Sequence, residues 1–362
     1  MTAQIHDVFD ENLLAEMLAT GYVKRRAHPE HGYWIYNYTQ HTQFDRVWNE
    51  VTRNCRGLIT DAGGRVLARP FPKFFNLAEH HGAELPVENV IVTDKLDGSL
   101  GILYPTPDGH RVATRGSFVS EQAEHATRVW RERYQDRFEP EPSWTYLFEI
   151  VYPENRIVVD YHDLDDLVLL GAVETRSGRS VALEIAGANW PGPKVEELPY
   201  RSLEEALAAP VRDGREGLVL HFSDTDLRVK VKYEEYVRLH RLVTGVSERR
   251  IWEALSQGHD IAPWLEAVPD EFYHFVRATR ERMLSDHQEL KHEAERRQRN
   301  LLASLEDGWT RKDYAEKVNE SDWALKKTLF SLLDGKSIDD AIWQHLRPEE
   351  HRPLFSRHED TN

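Results

Sequence analysis

Four stretches of the sequence hold residues that could do chemistry. Lys95-Leu96-Asp97-Gly98-Ser99 lies between two apolar runs, Val90–Thr93 and Leu100–Tyr104. Asp-Gly between such runs is the strongest short-range hairpin signal, and a turn alone would account for it. A lysine at a strand end, held by a tight turn, is also how an amine nucleophile is presented. As ammonium it is inert; burial and neighbouring cations favour the neutral form that attacks. Cations are available in Leu227-Arg228-Val229-Lys230-Val231-Lys232, where period-two alternation sends Arg228, Lys230 and Lys232 to one face. A solvated amphipathic strand would look the same. Yet three adjacent cations repel unless an anion lies across them, and a triphosphate is the obvious one. Glu149, in Trp144–Val151, and Glu216, before Gly217–Phe222, are carboxylates in apolar strands. A carboxylate there ends a strand in solvent, pairs with a base, accepts from a ribose hydroxyl or binds a hard cation such as Mg²⁺.

The elements that must position these groups divide the chain. Up to about Thr244, short apolar runs alternate with turn signals: Tyr33–Tyr38, Gly57–Thr60, Arg65–Ala68, Val90–Thr93, Leu100–Tyr104, Arg111–Thr114, Trp144–Val151, Leu167–Val173, Gly217–Phe222 and Leu227–Val231. Helices are expected at Ser120–Tyr134 and Ser202–Ala208, the second opened by a Ser202-to-Glu205 capping box. This pattern is α+β, not alternating βαβ. After about Gly245 helical periodicity takes over: Glu248–Ser256, Asp270 to about Leu305, Arg311–Val318, Asp322–Leu333 and Ser337–Leu346. The expected domains are therefore 1–244 and 245–362.

Length and composition bound the rest. At ~150 residues per domain, 362 residues suggest two or three domains. The 46 basic and 62 acidic residues give a net charge of −16, which disfavours coating nucleic acid through bulk charge or lying on an anionic membrane. Shorter windows differ: Arg53–Lys73 is net +4 and Thr225–Arg250 net +3. A single cysteine, Cys55, excludes an intrachain disulfide and a cysteine-built metal cluster. The N-terminus lacks a basic and an apolar signal region, and no run approaches a membrane span, so a cytoplasmic protein is expected.

In order, Lys95-Leu96-Asp97-Gly98-Ser99, Thr114-Arg115-Gly116-Ser117, Phe148-Glu149-Ile150, Glu216-Gly217 and Lys230-Val231-Lys232 resemble motifs I, Ia, III, IV and V of the covalent nucleotidyltransferases. That superfamily comprises ATP-dependent ligases and capping guanylyltransferases. Tyr36-Asn37-Tyr38, Asn54-Cys55-Arg56-Gly57, Lys73-Phe74-Phe75-Asn76-Leu77, Asn155-Arg156-Ile157-Val158 and Tyr236 with Leu239-His240 narrow the resemblance to the phage-type RNA ligase 1 family, the tRNA-repair ligases, over about residues 30–242.

The resemblance implies an adenylation (ATP-grasp-like ligase) domain of two packed antiparallel sheets with an ATP cleft between them, then an all-α domain. It implies that Lys95 attacks the α-phosphorus of ATP to give lysyl-AMP, that AMP passes to an RNA 5′-phosphate, and that a 3′-hydroxyl then expels AMP. Tyr36, Arg56 and Lys73 would contact ATP and phosphate, with Gly98 and Arg115 also at the nucleotide. Family members commonly carry lysine where Arg115 stands, and a planar guanidinium makes a different contact. Glu149 would meet the ribose, Glu216 the metal, and Lys230 and Lys232 the α-phosphate. Tyr236 matches a position needed for ligation, and one of Phe74 and Phe75 would line the pocket. Asp260 falls near a metal position of the family. The cofactors implied are ATP and Mg²⁺, with Mn²⁺ as substitute. The partners implied are RNA ends, as in tRNA or another structured RNA, and an end-healing kinase-phosphatase.

Two other readings compete. A DNA ligase or capping enzyme usually appends an OB-fold, whereas the last ~120 residues read as helices rather than five short strands. A non-catalytic RNA-binding relict would have no need of Lys95. Asp334-Gly335-Lys336-Ser337 mimics the end of a phosphate-binding loop but follows a helix, and Phe330 stands where the first glycine is required. His28, His31, His80 and His81 are expected on surface loops, and Arg296-Arg297-Gln298-Arg299 at a helix end.

Overall fold

The computed structural model describes residues 3–80, 85–234, 236–237, 247–259, 261 and 273–348. The chain forms two compact units, Met1–Val243 and Thr244–Asn362. The first is α+β and its strands fall into three sheets rather than the expected two. Strands β1 (Val23–Ala27), β2 (Tyr33–Tyr38), β3 (Arg56–Asp61) and β4 (Val66–Ala68) make an antiparallel sheet in sequential order. Strands β7 (Ser99–Thr106), β8 (Gly109–Ala113), β9 (Trp144–Val151), β10 (Asp166–Glu174) and β11 (Ser180–Val181) make the second, in the order β11-β10-β9-β7-β8. The third joins β5 (Phe75–Asn76), β13 (Leu227–Lys232), β12 (Gly217–Phe222) and β6 (Val90–Lys95). Here β5 runs parallel to β13, the one departure from antiparallel pairing among these strands.

The second sheet is buried on both faces, which its alternating residues explain. Ile102, Tyr104, Ala113 and Leu147 meet Ile35, Ile59 and Ala68 of the first sheet. Leu103, Val112, Phe148 and Ile150 face the other way, onto Trp130, Tyr134 and Trp190. Glu149 alternates to the same side as Leu147, toward the first sheet. The first sheet's outer face carries Val23, Tyr36 and Leu58 beneath α1 (Glu11–Ala19), a helix capped by Asp10, whose Oδ1 accepts from Asn12 N–H at 2.6 Å. Short helices α2 (Gln40–Asp45) and α3 (Glu50–Asn54) lead into β3. Helix α4 (Glu121–Val129), continued by a wider turn at Trp130–Tyr134, covers the second sheet, and α5 (Leu183–Ala186) follows β11. Helix α6 (Leu203–Ala208) starts at Ser202 as expected, with Ser202 Oγ accepting from Glu205 N–H. The Glu205 carboxylate, however, reaches Arg201 N–H at 2.7 Å rather than the Ser202 N–H of a capping box.

His28 corrects the expectation of a surface loop. It is 5% exposed, its Nδ1 accepts from the backbone N–H groups of Glu30 (3.0 Å) and His31 (3.1 Å), and its Nε2 lies 3.1 Å from the Tyr104 hydroxyl. A proton on Nδ1 would face two N–H donors. Burial, then the neighbouring His31 and Arg111, push the imidazole down to about 4. The folded state therefore binds fewer protons than the unfolded one between about pH 4 and 6.5. Stability from this group is complete above the unfolded value and is lost as pH falls through the folded one. Between pH 7 and 4 the unfolding free energy of the wild type should fall by roughly 3 kcal/mol more than that of His28→Asn, which keeps an acceptor and does not titrate. Urea titrations of both proteins at the two pH values check this.

The second unit is all-α in its described residues: α7 (Glu248–Ser256), α8 (Tyr273–Ala303), α9 (Arg311–Glu320), α10 (Lys326–Leu333) and α11 (Asp339–His345). Ala294, Tyr314, Val318, Leu329, Ile338 and Ile342 form its core, and the Tyr314 hydroxyl donates to Leu329 C=O at 2.9 Å. Gly335, at φ +67°, ends α10, so the phosphate-loop mimic is a helix terminus. Arg296 and Arg297 lie inside the last turns of α8, paired with Glu293. No described helix is long and apolar enough to cross a membrane.

Candidate active site

The register of the third sheet builds the centre. Gly217, the first residue of β12, stands opposite Lys95 on β6 and opposite Lys232 on β13. Glu216, one residue earlier, therefore lies between the ends of both neighbours. Its Oε2 is 2.7 Å from Lys95 Nζ and its Oε1 2.6 Å from Lys232 Nζ. The carboxylate is 2% exposed, Lys232 8% and Lys95 20%, so Lys95 is the member that reaches toward solvent. Position 217 requires glycine: its φ is +152°, and a Cβ would fall 2.1 Å from Val231 C=O. The expected crowd of bare cations is corrected here, because a carboxylate sits between Lys95 and Lys232. Arg228, on the same face, is neutralised by Asp226 at 3.2 Å and lies over the Phe71 ring. It needs no triphosphate.

The turn after Lys95 is pinned from three directions. Asp97, 4% exposed, accepts from Val158 N–H and Val159 N–H (both 2.8 Å) with Oδ2 and from the Tyr236 hydroxyl (2.7 Å) with Oδ1. Its own N–H donates to the Tyr161 hydroxyl at 2.8 Å. Gly98 N–H donates to Glu149 Oε1 at 3.0 Å, and a Cβ on Gly98 would fall 2.6 Å from Ile150 C=O. Ser99 Oγ accepts from Asn155 Nδ2 at 3.2 Å. Glu149 is pushed up to about 7, first by burial and then by the carboxylates of Glu216 and Asp97, against the pull of Lys95 and Arg56. Its proton is thus held loosely near neutral pH.

A second group gathers cations against aromatic faces. Lys73 is buried, and its Nζ lies 5.4 Å from the Trp48 ring, 5.5 Å from Phe75 and 5.6 Å from Tyr38. Arg115 donates to the Tyr38 hydroxyl at 2.8 Å and stacks on its ring. Arg53 lies over Phe75. Phe74 lies between Arg56 at 5.6 Å and Lys230 at 5.8 Å, so the +4 window of the sequence meets the lysine strand across one ring. Phe74 and Phe75 are both half-buried, each with cations on it.

The structure thus brings Lys95, Gly98, Glu149, Glu216 and Lys232 together, with Tyr236 tied in through Asp97 and its ring 5.1 Å from Lys232 Nζ. Arg56, Lys73, Arg115 and Lys230 form the cation–aromatic group beside them. Tyr36 is buried with Val23, Cys55 and Leu58 in the outer core, whereas Tyr38, two residues on, carries the contacts to Lys73 and Arg115. Asp260 and Leu239-His240 lie outside the described residues. The sequence pattern did not single out Tyr38 and Trp48 as partners of Lys73, or Tyr161 as the acceptor that holds Asp97. Tyr38 belongs to the Tyr36-Asn37-Tyr38 motif; Trp48 and Tyr161 carry no local signal.

Mg²⁺ takes one or two carboxylates and completes its shell with phosphate oxygens and water. Glu149, whose carboxyl is pushed up by burial and by the neighbouring Glu216 and Asp97, is a group that a nearby cation would favour in its charged form, and Glu216 is the second carboxylate beside it. Among the described residues no cluster of three or more histidine, cysteine, aspartate or glutamate side chains is suited to hold a metal by itself.

This sheet-borne lysine with its paired carboxylates and lysine strand is the arrangement of a covalent nucleotidyltransferase. The family model described as RNA ligase matches residues 54–236, just over half of the sequence, and the chain belongs to that family. It is 23% identical over 294 residues to an RNA ligase of Rhodothermus phage RM378, covering 60% of this chain and 66% of that one. It is 31% identical over 216 residues to an RNA-ligase-like protein of Thermovibrio ammonificans, covering 54% of each. The chain spans between about half and just under two thirds of the length of these two relatives. Among solved structures it resembles an archaeal ATP-dependent RNA ligase at 15% identity and a TM-score of 0.44, covering 90% of this chain and 96% of that one.

Proposed function

We propose that the protein is an ATP-dependent RNA ligase that joins 5′-phosphate and 3′-hydroxyl ends. The observation that carries this reading is Glu216 held between Lys95 and Lys232 at the head of β12, beside Glu149 on the Gly98 N–H. In the resting site Glu216 is paired with Lys95 at 2.7 Å. For attack, Lys95 passes a proton to the Glu216 carboxylate beside it, and the freed amine attacks the α-phosphorus of bound ATP. The N–P bond forms as the bond to pyrophosphate breaks. Lys232 and Lys230 then lie across the α-phosphate, offsetting charge on the transferring group. A divalent ion at Glu149 and Glu216 would supply further charge neutralisation at the phosphates.

Lys73, Arg56 and Arg115 would take the β- and γ-phosphates and, after pyrophosphate leaves, the 5′-phosphate of RNA. An oxygen of that phosphate attacks the adenylate, the N–P bond to Lys95 breaks, and a 3′-hydroxyl then displaces AMP. Catalysis falls to residues 1–244, and selection of a structured RNA such as tRNA to residues 245–362. Such ends arise where an end-healing kinase-phosphatase has acted, and ATP and RNA meet in the cytoplasm.

The test is incubation with ATP, Mg²⁺ and 5′-phosphorylated single-stranded RNA or DNA of one sequence. RNA should be sealed, with adenylated RNA as intermediate; preferential sealing of DNA would overturn the substrate assignment.

A further inference from the structure

The first sheet ends in an edge strand whose charge the site does not use. In β1, Lys24, Arg25 and Arg26 are consecutive and exposed. Among the described residues none of the three makes an ion pair, although the chain carries net charge −16 and its other exposed arginines commonly bind a carboxylate, as Arg65 does Asp61 and Arg156 does Asp160. Two of the three are also oriented. The Arg25 guanidinium lies 4.5 Å above the half-buried Trp34 ring. Arg26 Nη1 donates to Gly116 C=O at 3.3 Å, next to the Arg115 that bonds Tyr38.

Register carries the strip to the site. Lys24 stands opposite Asn37, and Asn37 opposite Arg56. Lys24 and Arg56 are therefore two strand spacings apart, about 10 Å, a span of a few nucleotides. Side chains alternate along β1, so Lys24 and Arg26 share one face while Arg25 lies over Trp34 on the other; an edge strand with unneutralised cations on both faces and an aromatic ring, leading to a phosphate-binding centre, has the features of a single-strand nucleic-acid track.

We propose that β1 is a docking strip for the RNA strand, Lys24 and Arg25 binding backbone phosphates a few nucleotides from the end held at Lys95. The inference rests on the ligase reading above and adds to it where the strand runs.

The experiment compares wild type with Lys24→Ala/Arg25→Ala, a double change at exposed positions. Each protein is incubated with labelled ATP and Mg²⁺, and its affinity for a 5′-phosphorylated single-stranded RNA is then measured across a salt series. Lysyl-AMP formation should be equal in the two proteins, which also shows that the variant is folded. The slope of log affinity against log salt should be shallower in the variant by about 0.7 for each phosphate that is no longer bound. An unchanged RNA affinity and slope would overturn the strip. So would RNA binding that is unaltered while binding to anionic lipid vesicles disappears, which would assign the charge to a membrane surface. Absence of lysyl-AMP in the wild type would instead count against the ligase reading, since the salt slope is read independently of it.

Discussion

Lys95→Ala should form no covalent adduct with AMP, yet should fold like the wild type and still seal RNA whose 5′ end already carries AMP. The separation follows from the site. In the proposed reaction the amine takes AMP from ATP by supplying the electron pair that displaces pyrophosphate. Once AMP is on the RNA, the 3′-hydroxyl is the nucleophile and Lys95 is only one cation among several. Folding is spared because Glu216 keeps Lys232 as its partner at 2.6 Å, so no buried carboxylate is orphaned. Radiolabelled adenylation, a thermal melt and sealing of pre-adenylated RNA read the three parts separately. A variant that still takes label from ATP would remove Lys95 from its role. One that folds but cannot seal pre-adenylated RNA would mean that the side chain acts in the last step as well.

Asp97→Ala should have the largest effect on stability of any single change in the turn. It leaves Val158 N–H, Val159 N–H and the Tyr236 hydroxyl without their acceptor. At about 1–3 kcal/mol for each of the three groups left unsatisfied, the loss is roughly 3–9 kcal/mol, a large share of the stability of an ordinary domain. Asp97→Asn should cost much less, since its carbonyl can serve the two N–H groups while its amide donates to the Tyr236 oxygen. Adenylation should follow the same order. Asp97 fixes the turn that begins at Lys95, and an ångström of misplacement at a nucleophile costs about a hundredfold in rate. Urea unfolding and single-turnover adenylation of both variants test this. Equal stability of the two would show that the hydrogen bonds at Asp97 contribute little.

The sequence was most legible where an apolar run is short and bounded by turn residues. Trp144–Val151 and Gly217–Phe222 form strands with the expected bounds, the first a nearly continuous apolar run buried on both faces of its sheet and the second buried at most positions. Strand β1 gave no such signal, since after Val23 every residue is exposed and only pairing with β2 makes it a strand. Of the site, the residue types were readable but their partners were not. Glu216 is separated from Lys95 by 120 positions, and only the placing of β12 between β6 and β13 puts it between two lysines. Arg228 looked like a third phosphate ligand because local alternation cannot show that Asp226, at φ +59°, turns its carboxylate back onto it. Tyr36 and Tyr38 are two residues apart in β2, yet Tyr36 packs with Leu14, Met17, Val51 and Cys55 in the outer core while Tyr38 meets Trp48, Lys73 and Arg115, a division that the alternation of β2 alone does not show.

The central claim is that Lys95 carries the nucleotide between ATP and an RNA end. Its most direct measurement is a chase. The protein is loaded with ATP labelled at the α-phosphate, freed of nucleotide, digested in part to locate the label, and in parallel mixed with 5′-phosphorylated RNA. The label should sit on the peptide containing Lys95 and should leave the protein for the RNA 5′ end without further ATP. A label on another peptide, or one that RNA does not remove, would contradict it.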